Sequence, residues 1–339
     1  MSVAASAAAL QVACTMSAAH ILRGAVACAI QAPSTHNTQP WRFVRRGEVL
    51  ELWLDRGRLL DVVDPIRRAA TISCGCALYN VRVALAAEGH RAQIDLLPRA
   101  AEPDLLAVVR LGLPRTPTND DLALLEAIPR RHTNRRPFLD RPVSTETADE
   151  LIHAAAAQRT RMFRLSPRQK AALAELVAEC DRRRFAEPAY RAQVGEWLVP
   201  AGRLRKDGIP FVEKEFGTDG WFGVKRTLER PELGAELGAI EEHRLLGAPV
   251  VAVLSTQADD DIDWLDCGQA LQAVLLRATQ LGLAAAFVDQ LLEYEDLHAS
   301  VKAITAAELV PQMALRLGYA PPLERTAPRR DVAEVLEEP

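Results

Sequence analysis

The sequence predicts an α+β fold in which one module occurs twice in a single chain. Two similar segments carry this prediction: one runs from Cys74-Gly75 to Gly89, the other from Cys267-Gly268 to Gly282. The second follows the first by 193 residues at its beginning, from 74 to 267, and at its end, from 89 to 282. A constant spacing favours two copies of one module. Two unrelated buried helices that end in glycine are the alternative.

The first copy, residues 1–118, predicts helix, hairpin, helix and strands in that order. Residues 17–31 are Ala-rich, with apolar side chains at helical spacing. Residues 41–55 contain two strand-like runs around a turn at Arg46-Gly47, which predicts a β-hairpin. Apolar positions within residues 71–88 predict a buried helix that stops at Gly89. Strands are expected at residues 94–97 and 105–111.

The second copy, residues 119–330, begins after a Pro- and Thr-rich boundary and predicts a similar order of elements. Helices are expected through residue 158 and from Pro167 to about residue 184, because Ser144 and Ser166 are suitable N-caps. Strands are expected at residues 162–165, 248–255 and 285–288. Residues 185–245 have no counterpart in the first copy, and their glycines and aromatics indicate an insertion, a candidate lid. Residues 331–339 are interpreted as a C-terminal tail.

Composition and charge exclude several classes of protein. The chain has 339 residues, of which 49% are apolar and 25% charged, with a net charge of −4, as in a globular cytoplasmic protein. No basic run indicates a nucleic-acid partner, and no apolar stretch of 18 residues predicts a membrane span. The N-terminus lacks the charged region of a signal peptide. The six cysteines match neither a disulfide framework nor a metal site, so no metal is expected.

A polar stretch at residues 32–43 is the first candidate site. It places five hydrogen-bonding or rigid residues close together: Pro33, Ser34, Thr35, Asn37 and Gln39. Their side chains can bond a planar heterocycle, or they can bond the local backbone in an ordinary turn. From these residues alone, both interpretations stay open.

An arginine cluster at residues 130–136 is the second candidate site. Arg131 and Arg135 present planar donors that suit phosphate, and the Thr133 hydroxyl can add a further hydrogen bond. A solvated basic loop is the alternative. No Gly-rich phosphate loop is present, so a nucleotide-like cofactor would be held by arginines.

These strings together resemble the FMN-dependent nitroreductase family. The stretch Ala-Pro-Ser-Thr-His-Asn-Thr-Gln-Pro-Trp-Arg-Phe resembles the family signature, and residues 130–135 resemble its N-terminal phosphate site. The segments Cys267-Gly268-Gln269-Ala270 and residues 315–321 are similar to a later helix and strand of the family, and Arg329-Arg330 to its last basic pair. The double module resembles the fused Acg-type members of actinobacteria. The resemblance implies two α/β sandwich modules, each an antiparallel-rich sheet flanked by helices.

The resemblance also implies a cofactor and the residues that hold it. FMN in this family lies between two subunits. Here only the first copy has the Pro-Ser string and only the second has the arginine motif, so one complete site is expected in an intrachain pseudo-dimer. A monomer would suffice, although further oligomerisation stays open. The expected cofactor-binding residues are Pro33, Ser34, Thr35, Asn37, Gln39, Arg131, Thr133, Arg135, Asp289, Gln290, Arg329 and Arg330. Gln290 replaces a glycine of the family beside flavin N5.

The implied activity is hydride transfer from NADH or NADPH through flavin N5 to a nitroaromatic or quinone-like acceptor. The flavin carries this chemistry, so no catalytic side chain is expected. His36 and His132 flank the site in sequence, with a structural role more common than proton donation. The alternative is a protein that binds or sequesters FMN with little turnover because the insertion covers it. An oxygen-using flavoenzyme is a weaker third interpretation.

Overall fold

The computed structural model describes residues 17–200, 204–211, 227–230, 232–288, 290–292, 294–305, 308–322 and 327–339. Helices and antiparallel sheets both occur in each half of the chain, so the predicted mixed α and β character is confirmed.

Residues 17–118 contain the predicted elements in the predicted order. These elements are α1 (Ala18–Ala29), β1 (Trp41–Arg46), β2 (Val49–Leu54), α2 (Arg68–Ala87), β3 (His90–Leu96) and β4 (Leu105–Pro114). The Ser17 hydroxyl caps α1 by accepting from the His20 backbone nitrogen at 3.3 Å. Gly47 turns the hairpin with φ +62° and Gly89 ends α2 with φ +80°, conformations that favour glycine.

The rest of the chain begins with a helix that the sequence interpretation did not assign, capped by Thr118. The elements are α3 (Asn119–Arg130), α4 (Thr145–Ala156), β5 (Arg161–Arg164), α5 (Pro167–Ala186), α6 (Pro188–Trp197), β6 (Leu198–Pro200), β7 (Ile209–Phe211), α7 (Leu233–Leu246), β8 (Val250–Thr256), α8 (Asp261–Gln280), β9 (Ala284–Phe287), α9 (Glu295–Thr305), β10 (Val310–Gly318), α10 (Val332–Val335) and β11 (Leu336–Glu337). Elements α6, β6, β7 and α7 lie in the predicted insertion.

The two large sheets share one strand order. The first runs β11-β1-β2-β4-β3 and the second runs β5-β8-β10-β9, with every pair antiparallel except β11 with β1. If β1, β2, β4 and β3 are matched with β5, β8, β10 and β9, the order is the same. The first sheet has one additional strand, β11, which pairs parallel to β1 through Phe43 and Leu336. The predicted C-terminal tail therefore completes the sheet of the first copy.

The helices α2 and α8 form the centre of the molecule. Each has 20 residues, and the second starts 193 residues after the first. They meet at two glycines with reciprocal contacts: a Cβ on Gly75 would lie 2.5 Å from the Leu265 carbonyl oxygen, and one on Gly268 would lie 2.1 Å from that of Ile72. Only glycine permits this approach of the two backbones.

We expect Gly75→Ala and Gly268→Ala each to lower the free energy of unfolding by about 1–3 kcal/mol, because the added methyl group meets backbone that cannot move aside. Gly24→Ala is the matched control, since a Cβ there meets nothing within 4 Å. It lies inside α1, where alanine should stabilise by about 0.5–1 kcal/mol. Chemical denaturation measures all three. Equal effects at the three positions would contradict the close approach of α2 and α8.

The helix α2 is long and apolar enough to cross a membrane, and 78% of that stretch is buried within the protein. Cys74 and Cys76 on α2 and Cys267 on α8 are 0% exposed. Burial raises the pKa of Cys76 to about 12. The position of α2 against α8 is that of a central core helix, and its thiols act as small packing groups.

Candidate functional site

The polar stretch forms a tight loop between α1 and β1. Residues Thr35–Asn37 make one turn of 3-10 helix, and the Ser34 hydroxyl accepts from the Gln39 backbone nitrogen at 2.9 Å. His36, Asn37 and Gln39 have φ of 49°, 56° and 53°, the left-handed region that side chains other than glycine and asparagine seldom adopt. Such strain commonly marks a functional loop.

Asn37 is the hub of this loop. Its Nδ2 donates to the carbonyl oxygens of Gly208 and Pro328, both at 3.1 Å, and its Oδ1 accepts from Arg329 Nη1 at 3.0 Å. Its backbone oxygen accepts from the Gly208 nitrogen at 3.3 Å. Asn37 thus joins the first copy to the insertion and to the C-terminal arginines.

Gln39 holds the same two segments. Its side chain is 0% exposed, with Nε2 donating to the Lys206 carbonyl oxygen at 2.9 Å and Oε1 accepting from the Arg330 backbone nitrogen at 2.9 Å. Both of its polar atoms are therefore engaged by protein groups. This geometry supports a positioning role for Gln39, whereas the family resemblance implies that it bonds the flavin ring or lines its pocket.

The arginine loop follows directly after α3 and is fixed to the second sheet. Thr133 forms a bridge with Ala285 of β9, and the Asn134 nitrogen donates to the Ala285 oxygen at 2.8 Å. Arg131 is only 5% exposed, and its Nη2 lies 3.5 Å from the Gln31 carbonyl oxygen. Arg135, by contrast, is exposed.

Arg131 and Arg329 converge on one point. Arg329 Nη2 also lies 3.5 Å from the Gln31 oxygen. Arg131 Nε and Nη1 and Arg329 Nε are buried without a hydrogen-bond partner in the described residues. In that part of the chain neither guanidinium has a carboxylate within 4.0 Å. Burial lowers the pKa of Arg131 to about 10, and burial followed by the charge of Arg131 lowers the pKa of Arg329 to about 9.

Arg131 is buried and Arg329 is half-buried, and the unused donors on the two guanidinium groups would suit an anion. Leaving a buried charge uncompensated costs several kcal/mol, and a phosphate would supply both the opposite charge and the missing acceptors. The polar loop, the arginine loop and the C-terminal pair, which are far apart in sequence, meet at this point.

The other predicted residues lie around this pair or outside it. Arg330 bonds the Glu334 carbonyl oxygen at 2.6 Å and lies 4.0 Å from Asp55, so protein groups already hold it. Pro33 is buried within the polar loop. Gln290 is 6% exposed, and its carbonyl oxygen accepts from Cys180 Sγ at 3.1 Å. Asp289 lies outside the described residues.

The two flanking histidines are not protonated at neutral pH. Burial, followed by the charges of Arg184 and Arg135, lowers the pKa of His36 to about 3. Burial, followed by Arg131 and Arg329, lowers the pKa of His132. Both rings are therefore neutral at pH 7, which disfavours proton donation by either of them.

Sequence reasoning missed the groups that act through their backbone. Gln31 contributes only a carbonyl oxygen, and Lys206 and Gly208 contact the loop through main-chain atoms. Asp207 between them bonds Arg58 Nη1 at 2.8 Å, and Lys206 pairs with Asp331. No residue type signals such contacts in a sequence.

Comparison with known proteins gives the class. The profile described as the Nitroreductase family matches residues 128–319, which is more than half of the chain. A Mycobacterium tuberculosis H37Rv protein with the provisional name NAD(P)H nitroreductase acg is 31% identical over 337 residues, 95% of this chain and 97% of its own. This chain belongs to the nitroreductase family, as the sequence motifs predicted.

Further relatives have the same extent. The M. tuberculosis H37Rv protein Rv3131, with the same kind of provisional name, is 33% identical over 331 residues, 95% of this chain and 92% of its own. Both alignments span nearly the whole of this chain. Among solved structures, the FMN and NADPH-dependent nitroreductase NfnB of Sphigopyxis sp. strain HMH is 23% identical, covering 63% of this chain and 97% of that chain, with a TM-score of 0.41. Family membership supports an oxidoreductase.

Proposed function

We propose that this protein is an FMN-dependent oxidoreductase that takes hydride from NADH or NADPH and reduces a nitroaromatic or quinone-like acceptor. The observation that carries the proposal is the pair of buried Arg131 and half-buried Arg329, whose unused donors fit a phosphate group. FMN, when bound, supplies the redox chemistry.

The residues of the chain have separate tasks in this proposal. Arg131 and Arg329 hold the phosphate, and the Thr133 hydroxyl assists them. Asn37 and Gln39 keep the C-terminal arginines in place, as their hydrogen bonds to Arg329 and the Arg330 backbone support. By resemblance to the family, Pro33, Ser34, Thr35 and Arg135 line the ring, with Asp289 and Gln290 beside it. No protein nucleophile is needed.

We infer one cofactor per chain, in a pseudo-dimer of residues 1–118 and 119–330. The common strand order of the sheets and the reciprocal glycine contacts support this arrangement. In the second copy, the loop after α4 corresponds to the polar loop after α1. There Arg82 bonds Gln158 and Gln269, and Arg159 pairs with Asp266 at 2.7 Å. These protein groups satisfy one another, which supports a single anion site.

A second candidate function is FMN storage with little turnover. The observation in its favour is the inserted segment at residues 206–208, which is bonded to Asn37 and Gln39 at the site and clamped by the pair Arg58–Asp207. An insertion held over the site would exclude a nicotinamide nucleotide.

An anaerobic titration tests the proposed function. We expect the yellow protein to lose its flavin absorbance on mixing with NADPH or NADH and to regain it with a nitroaromatic, because reduction and reoxidation occur at one flavin. Bleaching by dithionite alone would overturn the reductase and favour storage. Arg58→Gln is the informative variant, since it loosens the clamp: nicotinamide-driven bleaching that appears only in this variant would identify the insertion as the block.

A further inference from the structure

A cavity of about 440 Å³ lies between the start of α2 and the elements α9 and β10 of the second copy. It touches the polar loop only at Thr35, and neither Arg131 nor Arg329 lines it. Its volume is that of a small-molecule pocket. The cavity is therefore a candidate for a ligand other than the phosphate-bearing cofactor.

Part of the cavity lining is apolar. Ile66, Ile72 and Met313 belong to it, and Ile66 is 51% exposed. An aliphatic wall with this exposure suits a flat apolar body such as an aromatic ring, whose burial there would remove apolar surface from water.

His298 also lines the cavity, in a defined tautomer. Its Nε2 lies 2.7 Å from the Pro311 carbonyl oxygen, and a carbonyl can only accept, so Nε2 holds the proton. Burial, followed by the charge of Arg68, lowers the pKa of His298 and keeps the ring neutral at pH 7. Nδ1 is then a hydrogen-bond acceptor.

Gln312, which also lines the cavity, has a hydrogen-bond acceptor that is unpaired among the described residues. Its Nε2 donates to Thr256 Oγ1 at 3.0 Å and to Asp259 Oδ1 at 3.1 Å, which fixes the orientation of the amide. The side chain is 1% exposed, and its Oε1 has no partner in the described part of the chain. A ligand with an N–H or O–H group would meet this unused acceptor.

The charges that line the cavity disfavour anions. The carboxylates of Asp64, Asp259 and Glu295 line it, against the single guanidinium of Arg68 among the described residues. Arg68 is itself bonded to Asp259 at 2.9 Å. This balance is the reverse of that at the arginine pair and opposes a phosphate or carboxylate.

We propose that this cavity binds a neutral or cationic aromatic compound that carries amino or hydroxyl donors, with the donor directed at His298 Nδ1 and the ring on the aliphatic wall. Aromatic amines and hydroquinones have such donors, whereas the corresponding nitroarenes and quinones have only acceptors. The cavity thus selects the reduced member of each pair. Under the proposed function, on which this last step rests, the hydroquinone is the product of one hydride transfer and one protonation, and the amine is the end product of three such two-electron steps, which consume three NADH or NADPH and release two water molecules.

Calorimetric titration of the purified full chain, without nicotinamide, tests the proposal with three probes: 1-aminonaphthalene, 1-nitronaphthalene and the anion 1-naphthoate. We expect the amine to bind about tenfold more tightly than the nitro compound, the contribution of one buried hydrogen bond, and the anion to bind most weakly. His298→Phe keeps an aromatic ring but removes the acceptor, so it should abolish the preference. His20→Phe, at an exposed position, is the matched control.

A second variant distinguishes a loss of binding from a loss of folding. Ala69 lines the cavity and contributes only its backbone nitrogen to the bond with Asp64, so Ala69→Trp should fill the space and abolish binding while the circular dichroism spectrum stays native. Equal binding of amine and nitro compound, unchanged selectivity in His298→Phe, or no saturable binding would overturn the proposal. Flavin content is read separately from absorbance, so failure here is distinct from failure of the proposed function.

Discussion

Replacement of both arginines of the pair, Arg131→Met with Arg329→Met, is expected to give a colourless protein that is at least as stable as the unaltered chain without cofactor. Each charge-assisted contact to a phosphate contributes about 1.5–3 kcal/mol, so the loss of two should weaken FMN binding on the order of 10²–10⁴-fold. The free energy of unfolding of the cofactor-free protein, by contrast, should stay the same or rise. Neither guanidinium has a carboxylate partner in the described structure, so the replacement removes uncompensated charge at the cost of the hydrogen bonds from Arg329 Nη1 to Asn37, Ala327 and Pro328. Even for buried ion pairs, replacement by apolar groups of similar volume is often neutral or stabilising by about 1–4 kcal/mol.

Fluorescence titration with FMN and thermal unfolding of the cofactor-free proteins measure the two effects. Arg110→Met is the control, because Arg110 is an exposed arginine whose carboxylate partner, Asp95, lies at 2.5 Å. It should change neither binding nor stability appreciably. A double variant that retains FMN at full occupancy would show that the pair does not hold the phosphate. A double variant that loses FMN and also unfolds readily would mean that the pair supports the fold and not the cofactor.

Asn37→Ala is expected to weaken FMN binding about tenfold to a hundredfold while riboflavin binding stays nearly unchanged. The side chain bonds Arg329 Nη1 and the Pro328 oxygen, so its removal releases the arginine that would meet the phosphate. Riboflavin lacks the phosphate and should be insensitive to that arginine. The ratio of the two dissociation constants therefore separates a positioning role from general damage.

Asn80→Ala is the matched control for this measurement. Asn80 is equally a buried amide, with Nδ2 donating to the Cys28 oxygen at 2.9 Å and Oδ1 accepting from Gln272 at 2.7 Å. Its loss should cost stability without changing the preference for FMN over riboflavin. If Asn37→Ala weakens both flavins equally, Asn37 contacts the ring or supports the loop, and the positioning role is wrong.

The elements that the sequence predicted well are those with local or repeated signals. The helices α2 and α8 share their length and spacing, and the β1–β2 hairpin has Gly47 at its turn. The strand β11 could not be predicted, because two residues without a turn signal join β1 by backbone pairing across almost the whole chain.

The candidate site also combines features that the sequence indicates with features that it does not. The polar loop and the arginine loop were predicted from side-chain types. That Asn37 reaches Gly208 and Pro328, 171 and 291 residues away, could not be, since both partners offer only carbonyl oxygens. The difference between Arg329 and Arg330 also has no signal in the sequence. It arises because Glu334 and Asp55 lie beside one arginine and not the other.

We propose that two unlike copies in one chain build a single flavin site. Native mass spectrometry of the purified protein is the decisive experiment, because it counts chains and bound FMN in the same particle. We predict one FMN for each chain, retained in the monomer and lost from the Arg131→Met, Arg329→Met variant. Two FMN per chain, or one FMN bound only between two chains, would contradict the account.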